Sequence, residues 1–529
     1  MIVILFFTAI VILSCIIANR FSSKFGIPAL LLFMALGMIF GSDGVVKIYF
    51  DSFHISEQVC TVALIFIMFY GGFCTNWKAA KPVAKKAAIL SSLGVVITAL
   101  STCIFCYLIL KISLNESFLI GAIISSTDAA SVFSILRSQK LNLKDGTASM
   151  LEIESGSNDP VAYMLMIIGL TLINGNGTQS ILYMIFAQIV YGVLIGVAIA
   201  IIAALVLKKL QFYTDGLETI FVIAIAILSY ALPSYIGGNG YLSVYLTGII
   251  IGNSKINNKI ILVHFFDGIT ELAQILIFFL LGLLSFPHKL PSVIVPAFLI
   301  TLFLTFIARP FTIFSILMPF KASMKQCMLV SWAGLRGAAS IVFSIIAIAS
   351  GASLNNDLFH IVFLVALFSV SIQGTLLPYV ARKLDMVDKQ SDVRKTFNDY
   401  QDESSITLIR VFIPEGHGWE NKVISEVNMP ADSLALMIKR DGENIIPKGD
   451  TVVLANDSVI LSVPSYYEEN DVNLKEIRIN QSHVWNGKSI AELKLPKEIL
   501  IAMIKRGDRN IIPRGKTIIK ENDIVVLYR

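Results

Sequence analysis

The stretch LEIESGSNDPVAYMLMIIGLTLI, residues 151–173, places two glutamates and an aspartate at the start of an apolar run. A helix needs roughly 20 apolar residues to cross a hydrocarbon core of about 30 Å. A charged side chain inside that core costs about 2.5–3.5 kcal/mol on insertion scales, and the charges that persist there usually serve an ion path. The stretch therefore predicts a membrane-spanning helix that carries an ion site.

Comparable apolar stretches recur along the first 380 residues of the 529-residue chain. Mean hydropathy is +0.75 and 15% of the residues are charged, whereas soluble domains carry about a quarter. We predict a polytopic α-helical membrane protein followed by a soluble tail. The predicted spans are residues 1–18, 28–42, 58–74, 87–110, 116–136, 149–173, 183–207, 217–232, 239–253, 268–285, 291–319, 326–350 and 358–380.

The positions of lysine and arginine predict the orientation of these thirteen spans, because positive charge accumulates in cytoplasmic loops. The odd-numbered connections carry 17 basic residues and the even-numbered connections carry 3. We therefore expect a multi-pass protein of the cell membrane with its N-terminus outside and its tail in the cytoplasm. The net charge of +5 is spread over the cytoplasmic loops and the tail, so it does not indicate nucleic-acid binding. The six cysteines show no zinc or disulfide pattern.

The residues around Asp159 have the chemistry of a cation site. Ser155 and Asp159 are four residues apart and share a helix face, and Pro160 cannot donate a hydrogen bond to the carbonyl of Gly156. A carboxylate, a hydroxyl, the Asn158 amide and a free carbonyl are oxygen ligands suited to an alkali cation, the only metal we expect. Because burial disfavours the charged form of a carboxylate, the same group can hold either a proton or a cation.

Two further polar clusters lie in predicted spans. SSTDAAS (125–131) carries Asp128, which we leave open between the ion path and the scaffold, and GLRGAAS (334–340) carries Arg336. A buried arginine keeps its proton, so Arg336 needs an anion that Glu154 or Asp128 must supply. We predict a structural ion pair between Glu154 and Arg336. Arg309 is expected to support a kink or reach the membrane interface, with no role in transport.

The soluble tail contains an internal repeat. Residues 384–404 are polar and predict a cytoplasmic linker, and beyond it the segments 438–461 and 504–527 align with an offset of 66 residues. Short alternating apolar runs separated by Gly, Asp and Asn are strand signals. The repeat predicts two small α+β modules, residues 405–465 and 471–529.

The three membrane clusters resemble the diagnostic stretches of the cation/proton antiporter family, in its NhaP-type electroneutral branch. The resemblance covers residues 1–383 and implies a transmembrane exchanger domain with inverted repeats, two unwound spans that cross near the midplane, and a homodimer. It places the breaks at Thr127–Asp128 and Leu335–Gly337. It also implies a cation and proton site made of Asp159, Asn158, Ser155, Asp128 and Thr127, and it supports the pairing of Glu154 with Arg336.

The same resemblance implies the function. Asn158 stands where electrogenic relatives carry a second aspartate, so one proton should exchange for one cation, K⁺ in preference to Na⁺. A Na⁺/H⁺ antiporter is the alternative. A cation channel is less favoured because no TVGYG-type filter is present. An enzyme is not expected, since an intramembrane protease built on Asp128 and Asp159 fits the surrounding residues poorly.

The tail modules resemble TrkA-C (RCK-C) domains, which bind small ligands or regulate potassium transport. This association favours potassium, and the resemblance makes cyclic di-AMP the candidate regulator. No glycine-rich nucleotide-binding module precedes the repeats, so no NAD or ATP site is expected. The candidate ligand residues are Arg440, Asn444, Ile445, Ile446 and Pro447 and their repeats Arg506, Asn510, Ile511, Ile512 and Pro513. The alternative is that these residues form hairpin corners whose isoleucines pack the core.

Overall fold

The computed structural model describes residues 2–25, 28–139, 141–175, 180–209, 215–254, 256, 259–388, 406–430, 433–440, 443–464, 474–480, 483, 485–493, 500–506, 509–511, 513 and 515–528. The chain divides into two compact units, Met1–Asp402 and Glu403–Arg529. Each unit is described by itself below.

The first unit is built from apolar helices. In chain order they are α1 Ile2–Phe25, α2 Ala29–Phe40, α3 Phe53–Cys74, α4 Ala84–Leu108, α5 Leu114–Ser125, α6 Ala129–Ser138, α7 Thr147–Asn174, α8 Ile181–Lys209, α9 Asp215–Tyr235, α10 Gly240–Gly252, α11 Lys259–Leu284, α12 Pro287–Phe320, α13 Met324–Trp332, α14 Ala338–Ala349 and α15 Leu358–Lys383. They fall at all thirteen predicted positions. Within the described residues, eight helices are long and apolar enough to cross a membrane, and shorter apolar helices accompany them. The predicted polytopic helical fold is confirmed.

Two of the predicted spans are interrupted in the middle. Helices α5 and α6 are separated by residues 126–128, and α13 and α14 by residues 333–337. The backbone N–H of Asp128 donates to the carbonyl of Leu335 at 2.8 Å, so the two breaks meet. A Cβ on Gly337 would lie 1.9 Å from Asp128 Oδ2, which leaves room only for glycine. Both predicted breaks are present. They lie in the fifth and twelfth of the thirteen predicted spans, one odd and one even position, as expected for inverted repeats.

The helices of the first unit form two bundles. The first bundle contains α1, α2, α3 and α8 to α11, and the second contains α4 to α7 and α12 to α15. Close backbone approach holds the first bundle together: a Cβ on Gly248 of α10 would lie 2.3 Å from the carbonyl oxygen of Phe69 in α3. Small residues at helix contacts are the usual means of such packing in membranes, where no hydrophobic force brings helices together.

A short β-pair ties the end of the last span back to the second bundle. Strand β1, Asn142–Leu143, pairs antiparallel with β2, Val387–Asp388. The backbone N–H of Lys144 donates to Met386 O at 2.9 Å. We call this pair the strap. Residues 384–388 of the predicted linker thus pack on the first unit, and residues 389–404 lie outside the described residues.

The second unit contains two antiparallel four-stranded sheets with the same topology. The strands are β3 Ile406–Phe412, β4 Leu434–Arg440, β5 Glu443–Ile445, β6 Ser458–Pro464, β7 Leu474–Arg478, β8 Leu500–Arg506, β9 Arg509–Ile511 and β10 Ile524–Tyr528. The orders are β3-β6-β4-β5 and β7-β10-β8-β9. Each sheet buries its own apolar cluster, which includes Ile438 and Val459 in one and Ile504 and Val525 in the other. The repeat seen in the sequence is therefore a repeat of fold.

Candidate functional site

Helix α7 carries the predicted ion-binding residues into the interior of the second bundle. It begins after Gly146, which has a left-handed φ of 64°, and it continues through Pro160. Asn158 and Asp159 are both buried, and Asp159 is 8% exposed. Asn239 at the start of α10 donates from Nδ2 to the Pro160 carbonyl at 2.7 Å, so a residue of the first bundle contacts the backbone beside Asp159.

The break between α5 and α6 lies directly against this part of α7. The Ser126 hydroxyl donates to Asp159 Oδ1, and the Ser155 hydroxyl donates to the Thr127 carbonyl at 2.5 Å. Asn158 Nδ2 donates to Thr127 Oγ1 at 2.5 Å. The structure therefore brings Asp159, Asn158, Ser155 and Thr127 together, as predicted.

The side-chain oxygen of Asn158 is a candidate ligand for a cation. Its Oδ1 atom is buried and accepts no hydrogen bond from the residues that the structure describes. A buried acceptor left unpaired costs about 1–3 kcal/mol. A cation would satisfy this oxygen, and it lies on the residue next to the Asp159 carboxylate.

Asp128 caps the helix that follows the break. Its Oδ1 accepts from the Ser131 backbone N–H at 3.3 Å, and its Oδ2 accepts from the Ser131 hydroxyl. A side-chain oxygen before the first turn satisfies an amide that has no partner within the helix. The structure thus gives Asp128 a capping role, at the point where the two breaks meet.

In the structure the hydrogen-bonded partner of Glu154 is Arg309, and not Arg336 as expected from the sequence. Glu154 Oε1 instead accepts from Arg309 Nη2 at 2.5 Å, and the two side chains are 1% and 3% exposed. Arg336 Nη1 donates to the carbonyls of Ser125 and Ser126 at 2.9 and 2.8 Å. The physical reason is the end of α5, whose last carbonyls have no partners within the helix and carry its negative dipole end.

Sequence reasoning missed two residues of the site. Arg309 had been assigned to a kink or to the membrane interface, and it follows a π-helical turn at Leu304–Ala308, a feature often found at functional sites. The available signal was Pro310, directly after a charge in an apolar run. Ser126 was overlooked although it precedes the Thr-Asp pair.

This arrangement can exchange a proton for a cation at one place. The carboxylate of Asp159 is buried beside a hydroxyl, an amide oxygen and the backbone of an interrupted helix. Interrupted helices supply such ligands because their free ends lie at membrane depth. The fold and the site define a secondary transporter.

The family follows from sequence comparison. The profile for the transmembrane domain of sodium/hydrogen exchangers matches residues 9–383, and that of the TrkA-C domain matches residues 408–465 and 474–528. The chain belongs to the sodium/hydrogen exchanger family and carries two TrkA-C domains.

Named relatives extend over most of the chain. The K(+)/H(+) antiporter NhaP of Alkalimonas amylolytica is 32% identical over 85% of this chain and 79% of its own length. The K(+)/H(+) antiporter NhaP2 of Shewanella baltica is 30% identical over 84% and 77%. The solved sodium proton antiporter MjNhaP1 of Methanocaldococcus jannaschii shares the fold, with a TM-score of 0.64 at 23% identity over 72% of this chain and 99% of its own.

In the tail, the predicted arginines have other partners. Arg440 donates from Nε and Nη2 to the two oxygens of Asp457, each at 2.8 Å, and Arg506 binds Asp523 in the same way. Burial raises the pKa of Asp457, but the bonds from Arg440 and the Leu454 N–H outweigh it and lower the pKa. In this structure each arginine is therefore bound within its own module, and its role toward a ligand stays a prediction.

The remaining candidate ligand residues lie beside the edge strands. Asn444 and Ile445 belong to β5, and Asn510 and Ile511 belong to β9. Ile445 and Ile511 pack against the cores of their own modules, as the hairpin alternative expects, whereas Ile446 is 83% exposed. Ile512 lies outside the described residues. An exposed apolar side chain at a sheet edge leaves a surface for a ligand or a partner.

Proposed function

We propose that this protein exchanges one monovalent cation, K⁺ in preference to Na⁺, for one proton at Asp159 by alternating access. The observation that carries the proposal is the contact of the buried Asp159 carboxylate with Ser126 in the break between α5 and α6. A carboxylate in this setting binds either a proton or a cation. Movement of the second bundle past the first would carry the site between the two sides of the membrane.

The preference for potassium rests on the relatives. Proteins described as K(+)/H(+) antiporters align with more than four fifths of this chain, which is more than the membrane unit alone. The Na(+)/H(+) antiporter NhaH of Halobacillus aidingensis is also 30% identical, over 56% of this chain and 75% of its own length. Sodium is therefore the second candidate substrate.

The exchange should be electroneutral and faster with potassium. Asp159 is the titrating group and its neighbour is the neutral Asn158, so each cycle moves one charge in each direction. In proteoliposomes, an outward K⁺ gradient should drive proton uptake at the same initial rate with or without a permeant anion that collapses the membrane potential. A rate that changes when the potential collapses would contradict one-for-one exchange, and a faster rate with Na⁺ would reverse the proposed preference.

We extend the proposal to topology and assembly. The excess of basic residues in odd-numbered connections supports a tail in the cytoplasm and an N-terminus outside. The resemblance to NhaP-type antiporters supports a homodimer in the cell membrane. The tail then lies where a cytoplasmic ligand can reach it.

Cyclic di-AMP is the proposed tail ligand, recognised at the edge strands rather than by Arg440 and Arg506. Calorimetry of the purified full-length protein should give heat with the cyclic dinucleotide, and less with AMP or ATP. Asn444→Ala or Asn510→Ala should weaken binding without lowering the melting temperature, because both positions lie on edge strands. No heat at high micromolar concentration would leave the tail without this ligand.

A further inference from the structure

Helix α11 carries polar side chains that the Asp159 site does not use. Glu271 and Gln274 lie one turn apart near the middle of an apolar span, Lys259–Leu284. Glu271 is exposed in the structure and lies within the predicted span 268–285. A carboxylate inside a span costs about 2.5–3.5 kcal/mol on insertion scales, so its presence there calls for a function. Among the residues that the structure describes, no basic side chain forms an ion pair with Glu271.

These two side chains line a cavity between the two bundles. The cavity has a volume of about 70 Å³, and its polar lining consists of Asn19, Ser131, Glu271 and Gln274. Asn19, Glu271 and Gln274 belong to the first bundle. Ser131 belongs to α6 of the second bundle. A polar space of this size has room for water. We call it the vestibule.

One end of the vestibule adjoins the Asp159 site. Ser131 lines the vestibule, and its hydroxyl donates to Asp128 Oδ2. Asp128 in turn follows Ser126 and Thr127, which contact Asp159 and Asn158. Asn19 and Pro28 also line the vestibule, and they flank the basic end of α1, which carries Arg20 and Lys24. The vestibule therefore leads from the side of the basic loops towards the breaks.

We propose that Glu271, with Gln274, binds a hydrated monovalent cation in the vestibule before the cation reaches Asp159. This inference rests on the proposed function and adds a second cation-binding position to it. A carboxylate in a cleft with low-dielectric walls raises the local concentration of cations. Gln274 adds a neutral amide oxygen within one helical turn. Asp267, one turn earlier on α11, accepts from Tyr70 Oη at 2.9 Å, so its carboxylate is already engaged.

The test measures the KM for K⁺ on the side of the basic loops, in proteoliposomes of defined orientation. Glu271→Gln should raise this KM about three- to tenfold with kcat retained, because the charge only concentrates the cation. Added choline chloride should reduce the difference from wild type by screening. Glu271→Asp should restore most of the wild-type KM. Glu57→Gln removes the same charge at the start of α3 and should leave the KM unchanged.

An unchanged KM in Glu271→Gln would overturn the inference, as would a loss of kcat that Glu271→Asp does not restore. If Glu271→Gln fails to fold, Gln274→Glu decides, since it keeps Glu271 and adds a carboxylate to the same vestibule: a lowered KM supports the inference and an unchanged KM overturns it. Absence of exchange in the wild-type protein would contradict the proposed function instead.

Discussion

Asp159→Asn should abolish cation/proton exchange while the protein remains folded. The amide keeps the shape of the carboxylate and can still accept the hydrogen bond from the Ser126 hydroxyl. It can neither take up a proton nor bind a cation as an anion, so the step that couples the two substrates is lost. Purified variant and wild type should have similar melting temperatures, and in proteoliposomes the variant should show only background proton movement under either gradient.

The matched control for this variant is Asp145→Asn. Asp145 is exposed and has a left-handed φ of 59°, which asparagine tolerates well. The same change of carboxylate to amide outside the site should leave the exchange rate unchanged. If Asp159→Asn exchanges ions above background, Asp159 is not the group that binds the transported proton and cation.

Arg309→Ala should destabilise the membrane unit by about 3–5 kcal/mol, because it leaves Glu154 buried without its charge partner. The pair rests on one hydrogen bond: Glu154 Oε2 and Arg309 Nε are buried without partners among the described residues. The measurement is the thermal stability and yield of the variant in detergent, compared with the wild-type protein.

Double variants test whether Glu154 pairs with Arg309 or with Arg336. Glu154→Gln should recover much of the stability lost in Arg309→Gln, because both members of the pair then become neutral. It should not rescue Arg336→Gln, since the partners of Arg336 are the carbonyls of Ser125 and Ser126. If Glu154→Gln rescues Arg336→Gln and does not rescue Arg309→Gln, then Glu154 pairs with Arg336, as expected from the sequence.

The spans were predictable because burial in lipid demands long apolar runs, and no tertiary information is needed to see them. The second helix break could be read from Gly334 and Gly337. The first could not, because STDAA contains neither glycine nor proline, and only the family resemblance placed it at Thr127–Asp128. Its cause is tertiary: Asp128 bonds to the backbone of Leu335, and no local pattern records that contact.

The partner of a buried charge was harder to predict than its presence. Arg309 and Arg336 both lie more than 150 residues from Glu154 in the chain, and each is a chemically adequate partner. Arg336 donates to the carbonyls of Ser125 and Ser126. These carbonyls lack helical partners only because α5 ends at Ser125. The choice between two arginines thus depended on a break that composition does not reveal. Glu271 was overlooked for a similar reason, since its vestibule is formed by helices distant in sequence.

The strap joins the end of the last span to the start of the helix that carries Asp159. Strand β1 ends four residues before Thr147, where α7 begins, and β2 is the last described segment of the first unit. A displacement of Asp388 would therefore act through β1 on the start of α7, the helix that holds Asp159.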